Sequence, residues 1–429
     1  MATRSALPLP FLLLALPAQA LQPLESFVAA AGQHNPDALE GQANLELQQA
    51  QADVALGRVL PGISARGSLT RNQYDSIIDL GPGQGRLTVV PIVQRDAAAA
   101  LTVPLIDLAG FERVAAAKTS AQAAGDQLTS TQLQIQALVA QDYYQLVANL
   151  ALVTAARKAL DVSRESLRLA QNRYDAGVSP ELDLDRARAD VEQQSQQVSA
   201  AALQAALASR ALESASGVVP EAAEGVPLDD DLHPEPELAK AESGVERLPS
   251  VVAATGTTRA AEQQVEAQRL ALLPTIAGTF TERGTSTPGF TGHNWSWQAV
   301  LGFTWAFDLA APANIHVQSA AFGVARAREQ RVRLAARDAI HRQWETVAAS
   351  IARSHSARSG LVAATHAATS ARDRYQAGAI TQLELLQAQR DSFAAEVSRI
   401  QADADLVNAR AQLRLATGTS LLASTGKVP

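Results

Sequence analysis

RYDAGVSPELDLDRARAD runs from Arg173 to Asp190, and RYQAGAITQLELLQAQRD runs from Arg374 to Asp391. The two stretches align at a constant offset of 201 with eight identities in eighteen positions: Arg173/Arg374, Tyr174/Tyr375, Ala176/Ala377, Gly177/Gly378, Leu182/Leu383, Leu184/Leu385, Ala187/Ala388 and Asp190/Asp391. The same offset pairs Asp107-Leu108-Ala109 with Asp308-Leu309-Ala310, and Gly217 with Gly418. Further upstream the offset becomes 213 and pairs Pro36 with Pro249, Gln51 with Gln264, Leu60-Pro61 with Leu273-Pro274, and Ile63 with Ile276. Twelve extra residues therefore lie between Ile63 and Asp107 in the first copy. A repeat of this length predicts one architectural unit written twice, at about 33–217 and 246–418, joined by a Pro- and acid-rich stretch.

Each copy has the same inner order. A helix (Pro36 to about Val59; Pro249 to about Leu272) stops at Leu-Pro, and a region of two-residue periodicity follows. Then come a long helix, the Arg-Tyr-x-x-Gly turn and a last helix. The expected boundaries are a leader at 1–20 and a first repeat at 21–216, with a hairpin at 63–107 and a turn at 173–180. A linker occupies 217–245, the second repeat spans 246–418 with a hairpin at 275–308 and a turn at 374–381, and a tail covers 419–429.

The strands are legible from alternation. In Trp295 to Phe307, Trp295, Trp297, Ala299, Leu301, Phe303, Trp305 and Phe307 share one face, while Ser296, Gln298, Gly302 and Thr304 take the other. Ile63, Ala65, Gly67 and Leu69 alternate with Ser64, Arg66, Ser68 and Thr70; Leu101, Val103 and Leu105 flank Thr102; Ile276, Gly278 and Phe280 alternate with threonines. Four strands cannot close a barrel within one chain, and a half-buried soluble sheet would show the same alternation. Strand lengths near the ~9–11 residues that cross a bilayer, and aromatics gathered near strand ends, favour a membrane barrel shared between copies. Trp295, Trp297, Trp305 and Phe307 are then its interface aromatics. The insertion from Asp75 to Asp96, with Gly81-Pro82-Gly83-Gln84-Gly85, sits where such barrels carry long extracellular loops.

From Ala109 to Asn172 there is no proline and there are two glycines, so a continuous helix would reach on the order of 95 Å. Near the C-terminus Leu386, Phe393, Ile400 and Val407 recur every seven residues, with Val397, Ala404 and Ala411 beside them. That period predicts a left-handed coiled coil.

Composition agrees and excludes alternatives. Charged residues make up 18% and aromatics 4% of 429 residues, which suits extended helices packed through small side chains. A net charge of −7 with no basic block argues against nucleic-acid partners. The first twenty residues carry Arg4, an apolar run around Phe11 to Leu16, and Ala18-Gln19-Ala20 as a cleavage site. They read as a secretory signal peptide removed after Ala20, with an uncleaved anchor as the alternative. There is no cysteine, hence no disulfide and no lipid-anchor thiol.

The Arg-Tyr-x-x-Gly turn in both halves, Asn35-Pro36, the Leu-Pro breaks at Pro61 and Pro274, the Val103-Pro104-Leu105-Ile106-Asp107 strand end and the duplication together resemble the TolC family of outer-membrane efflux ducts. The resemblance implies an α+β membrane protein, a homotrimer in which four strands per protomer complete a twelve-stranded barrel in outer-membrane lipid. Long helices would continue it as a coiled-coil tunnel into the periplasm. It implies a periplasmic membrane-fusion adaptor and an inner-membrane pump, proton-driven or ATP-driven, as partners in efflux or type I secretion. It also implies that the turns around Arg173, Tyr174, Gly177, Arg374, Tyr375 and Gly378 are periplasmic tips that dock the adaptor and form the constriction.

Gly177 and Gly378 supply the backbone freedom a reversing rod needs; Ser179 with Pro180 reads as an N-cap and first-turn proline, and Thr381 with Glu384 as a capping box. Residue by residue, Tyr375 matches a tip tyrosine whose hydrogen bond helps hold the family's prototype shut. Asp183 matches an acid that pairs there with an arginine, but that position here is Ile380, so the pair is absent and the gate must be held differently. Glu384 and Gln387 stand at two constriction-ring positions; three copies of Glu384 around a threefold axis would attract cations, and a capping role explains Glu384 equally well.

No phosphate loop, nucleophile elbow or Cys/His metal spacing appears, so neither catalysis nor a cofactor nor a metal centre is expected. His341, His355 and His366 fall near one helix face but about 21 and 16 Å apart along its axis, too far to share an ion. Asp229-Asp230-Asp231 with His233 reads as a solvated linker, with weak cation binding as the alternative. The competing functional class is an exported coiled-coil structural or adhesin protein without transport.

Overall fold

The structure is a computed structural model and describes residues 21–79, 81–83, 86–221, 228, 230–288, 292–306 and 308–422. The expected leader, Phe307 and Asp229 lie outside the described residues. In chain order the elements are α1 (Leu24–His34), α2 (Pro36–Arg58), β1 (Gly62–Arg71), β2 (Ser76–Asp79), β3 (Arg86–Val90), β4 (Val93–Ile106), α3 (Leu108–Asp175) and α4 (Glu181–Ser216). After the linker come α5 (Leu238–Glu242), a single 3₁₀ turn, α6 (Pro249–Leu270), β5 (Thr275–Thr285), β6 (Trp295–Thr304), α7 (Ala311–Gln376) and α8 (Gln382–Ala416).

The residues fall into two compact units: one formed by Gly41–Thr129 and Pro249–Leu334, the other by Met1–Glu40, Ser130–Leu248 and Ala335–Pro429. The helices α3 and α7, 68 and 66 residues long, each run without a break through a segment of both. Alanine-rich, proline-free sequence permits such lengths because nothing in it removes an i→i−4 hydrogen bond.

The first unit holds a four-stranded antiparallel sheet of order β1-β4-β5-β6. The register places Ile63 opposite Leu101, Leu101 opposite Phe280, and Phe280 opposite Ala299, so the alternation in each strand falls on a common face. A bulge between Pro104 and Ile106 sits where proline cannot donate to the ladder. The insertion between Asp75 and Asp96 is more ordered than a plain loop: it contains the β2–β3 hairpin, and β4 starts within it at Val93. Beneath the strands α2 and α6 both pack on α3; Leu128 lies 3.0 Å from where a Cβ on Gly41 would stand, and Ala123 lies 2.9 Å from one on Gly256. Only small side chains allow that approach. Thr255 on α6 donates to Glu329 on α7 at 3.2 Å.

The second unit centres on an aliphatic core in which Phe27, Val139, Leu146, Val147 and Leu212 are buried, with Phe27 and Tyr143 ring centroids 5.9 Å apart. Of the heptad row in α8, Leu386, Ile400, Ala404 and Ala411 are buried, while Phe393, Val397 and Val407 are half-buried. The linker is held to the bundle rather than solvated along its length. Arg410 of α8, 8% exposed in its side chain, binds Asp230 at 2.8 Å, Glu235 at 2.5 Å and the His233 carbonyl at 2.7 Å. Beside it Asp403, 1% exposed, accepts from Ser354 at 2.6 Å, Arg358 at 2.9 Å and Arg399 at 3.0 Å. Arg358 also donates to the Asp230 carbonyl at 2.9 Å.

Candidate functional site

Two places bear on function. The first is the pair of turns at α3–α4 and α7–α8. Gly177 and Gly378 adopt φ of +71° and +76°, the left-handed region that ends a helix and suits glycine. The closing hydrogen bonds match one for one: Gly177 N–H to Tyr174 C=O (2.8 Å) and Val178 N–H to Arg173 C=O (3.0 Å), against Gly378 to Tyr375 (3.0 Å) and Ala379 to Arg374 (2.8 Å). A side chain at either glycine costs about 1–2 kcal/mol from the left-handed geometry alone. Gly378→Ala is therefore expected to lower the thermal midpoint of the purified protein. Gly360→Ala, in open space inside α7, should raise it slightly.

The helix starts after the two turns differ. Thr381 caps α8: its Oγ1 accepts from the Glu384 amide at 3.3 Å, and the Glu384 carboxylate accepts from the Thr381 amide at 2.7 Å. The Thr381 backbone amide, and then its hydroxyl, hold the Glu384 carboxyl below its ordinary value. In α4 the expected serine cap does not form. Pro180 holds the cap position at φ −71° and ψ 155°, and Ser179 Oγ donates to the Asp183 carboxylate at 3.0 Å instead of accepting a helix amide. The nearby carboxylate is the stronger acceptor, and the helix begins one residue later than the expected cap implies.

Tyr375 is buried and Tyr174 exposed, although both occupy the same motif position. The Arg173 guanidinium lies 4.9 Å from the Tyr375 ring centroid and donates to the Tyr375 carbonyl at 3.0 Å. Burial pushes the Tyr375 phenol up, with Arg173 opposing and Asp183 adding to the rise. Its hydroxyl has no hydrogen-bond partner among the described residues, so Asp183 does not bond it; Asp183 instead takes Ser179 and faces Arg186 at 3.6 Å. Gln387 donates to Asp391 at 2.8 Å and is exposed. Higher in the bundle Arg390 binds the buried Asp190 at 2.9 Å, joining α8 to α4. Sequence patterning missed the Arg173–Tyr375 and Arg390–Asp190 contacts, which link residues about 200 positions apart.

The second place is the sheet. Both of its faces are largely open, and one carries exposed apolar residues on all four strands: Ile63 and Leu69 on β1, Leu101 on β4, Phe280 on β5, and Leu301 and Phe303 on β6. Trp297 is 71% exposed and Leu301 74%. Trp297 stacks on Phe280 at 6.1 Å; Trp295 and Trp297 mark one end of β6. Trp305 just follows the other end and donates from Nε1 to the Leu272 carbonyl at 3.0 Å. The opposite face carries Arg66, Ser68, Asp96, Thr279, Arg283 and Gln298, with Asp96 and Arg283 paired at 3.1 Å.

For a metal, Asp230, Asp231 and His233 are the group whose ligand atoms converge among the described residues, within 4.8 Å of one another. Arg410 donates to Asp230 and to His233 Nε2 (3.0 Å), so its cation already serves those acceptors. His341 lies against Glu242 at 3.4 Å, apart from His355 and His366. No helix among the described residues is long and apolar enough to cross a membrane.

A family model described as outer membrane efflux protein matches residues 28–218 and 243–419. The chain is 29% identical to the outer membrane efflux protein BepC of Brucella suis over 72% of its own length and 69% of that protein. It is 25% identical to the fusaric acid resistance protein FusA of Burkholderia cepacia over 59% of its length, and spans about half (48%) of that relative. Its fold is that of CusC, whose crystal structures concern transmembrane channel formation, with a TM-score of 0.81 at 17% identity over 98% of this chain and 99% of that one. With residues matched in both halves, the chain belongs to the outer membrane efflux protein family and functions as an outer-membrane efflux channel.

Proposed function

We propose that three copies of this chain form one passive duct: a twelve-stranded barrel in the outer membrane continued by a helical tunnel into the periplasm, built from a duplicated unit at 21–216 and 246–418. The observation that carries this reading is the sheet. It has an exposed apolar face, and among the described residues its edge strands β1 and β6 pair with no strand on their outer sides. With four antiparallel strands, β1 and β6 run in opposite directions, so the β6 edge of one copy meets the β1 edge of the next in the antiparallel sense. Cyclic closure removes every open edge.

The helices support the same assembly. On α2 the residues Ala43, Leu47, Ala50, Val54 and Gly57, spaced four and three apart, form an exposed heptad seam. On α7, Val317, Val324 and Leu334 are exposed large apolar side chains. These are the free faces left when α2 and α6 pack on α3 and α6 bonds α7.

The duct has no catalytic residues of its own. A periplasmic adaptor docks at the tips 173–180 and 374–381, and an inner-membrane pump supplies the energy. The gate closes at the tips without a bond from Asp183 to an arginine at position 380, where Ile380 stands; Asp183 faces Arg186 of its own helix instead. The test is outer-membrane fractionation with electrophoresis before and after heating. The expected result is a trimer band in the outer-membrane fraction that heat converts to monomer; a soluble periplasmic monomer would defeat the proposal.

A further inference from the structure

The Arg-Tyr-x-x-Gly motif is written twice, yet within one protomer its side chains meet once. Arg173 of the first tip covers Tyr375 of the second. The other two members, Tyr174 and Arg374, are both exposed, and neither side chain has a hydrogen bond or ion pair among the described residues. We propose that these two are the halves of a second, equivalent contact, completed between copies: the Arg374 guanidinium lies over the ring of Tyr174 of the partner subunit and donates to its carbonyl. The site is incomplete in a single chain.

The argument is one of offset. Adding 201 carries the first tip onto the second with the same left-handed glycine and the same closing hydrogen bonds. Packing carries over too: Leu184 and Leu385 are both buried, and Leu182 and Leu383 both exposed. In a closed ring of duplicated copies, the first tip is followed by the second, and the second by the first tip of the next copy. Whatever joins first to second within a protomer is therefore geometrically available from second to first between protomers, provided the residues are right.

That proviso is decisive. The Arg390–Asp190 ion pair would translate into Ala189 facing Asp391, and the Ser166–Gln389 hydrogen bond into Arg188 facing Ala367; neither reproduces its chemistry. The Arg173–Tyr375 contact translates into Arg374 facing Tyr174, with both partners intact. A planar guanidinium over an aromatic face, with an N–H left for a carbonyl, is a contact that lysine or a neutral side chain does not replace. Around the ring, each tip would be latched to the next by the same device, alternately within and between copies. This holds the constriction without an arginine at position 380.

The inference rests on the trimeric reading, and the test separates the two. The chain has no cysteine, so thiols can be placed at will. In Tyr174→Cys/Arg374→Cys, the short bismaleimide bismaleimidoethane is expected to give covalent dimer and trimer, several-fold above either single variant. In Arg173→Cys/Tyr375→Cys it should give an internally linked monomer. Heat-sensitive trimers that yield no intermolecular product at 174/374, while 173/375 closes internally, would overturn this contact and leave the duct standing. Absence of any trimer would sink both.

Discussion

Leu301→Arg is expected to abolish assembly in the outer membrane, whereas Val300→Arg should leave it nearly intact. The two positions are adjacent on β6 and lie on opposite faces of the sheet, opposite Gly278 and Thr279 of β5. If the Leu301 face meets lipid, the arginine costs about 2–4 kcal/mol near the bilayer midplane. A trimer incurs that cost in every copy. If the same face met water, the substitution of a 74% exposed leucine would shift stability by no more than about 0.5 kcal/mol. The amount of heat-sensitive trimer in the outer-membrane fraction reads the difference, and wild-type levels in Leu301→Arg would refute the lipid-facing assignment.

A second large effect is expected at Asp403, in the helical unit. Asp403→Ala removes the carboxylate that gathers Ser354, Arg358 and Arg399; Arg399 keeps Glu396 at 2.9 Å, whereas Arg358 loses its carboxylate and retains the Asp230 carbonyl. Breaking a buried pair this way costs about 3–5 kcal/mol; the lower end applies here, because both arginines keep about a third of their side-chain exposure. Because Arg358 also holds the Asp230 carbonyl, the linker should loosen with it. The measurement is thermal denaturation together with limited proteolysis between residues 230 and 237. Unchanged cleavage in a destabilised variant would show that the linker is secured without Arg358, by Arg410 and by the Trp344 Nε1 bond to the Pro236 carbonyl.

How far the sequence could be read depends on how local each determinant is. The main strands were legible because lipid or water on one side and polar surroundings on the other impose a period of two on every residue. The tip glycines and the Thr381–Glu384 box were legible because caps are decided within four residues. The β2–β3 hairpin is not legible, since Ser76–Asp79 is only four residues long and the sequence after it is mostly glycine and proline. The N-cap of α4 is not legible, because Ser179 has a choice of acceptors that only the folded turn reveals. Tyr174 and Tyr375 show the limit best: identical letters in identical motifs, one exposed and one buried, distinguished only by what the other tip places beside them.

The shortness of the apolar runs along β1, β4, β5 and β6 also bears on biogenesis; even Ala97–Ile106 of β4 is interrupted by Thr102. Such segments present no apolar run of about 20 residues to the machinery that diverts nascent helices sideways into the inner membrane. Such a polypeptide can be threaded through as if it were any secreted chain, and it declares its affinity for lipid only after the strands have paired and all the outward-pointing side chains are gathered onto one surface. The same pleat that shapes the wall thus postpones insertion until the chain has reached its destination.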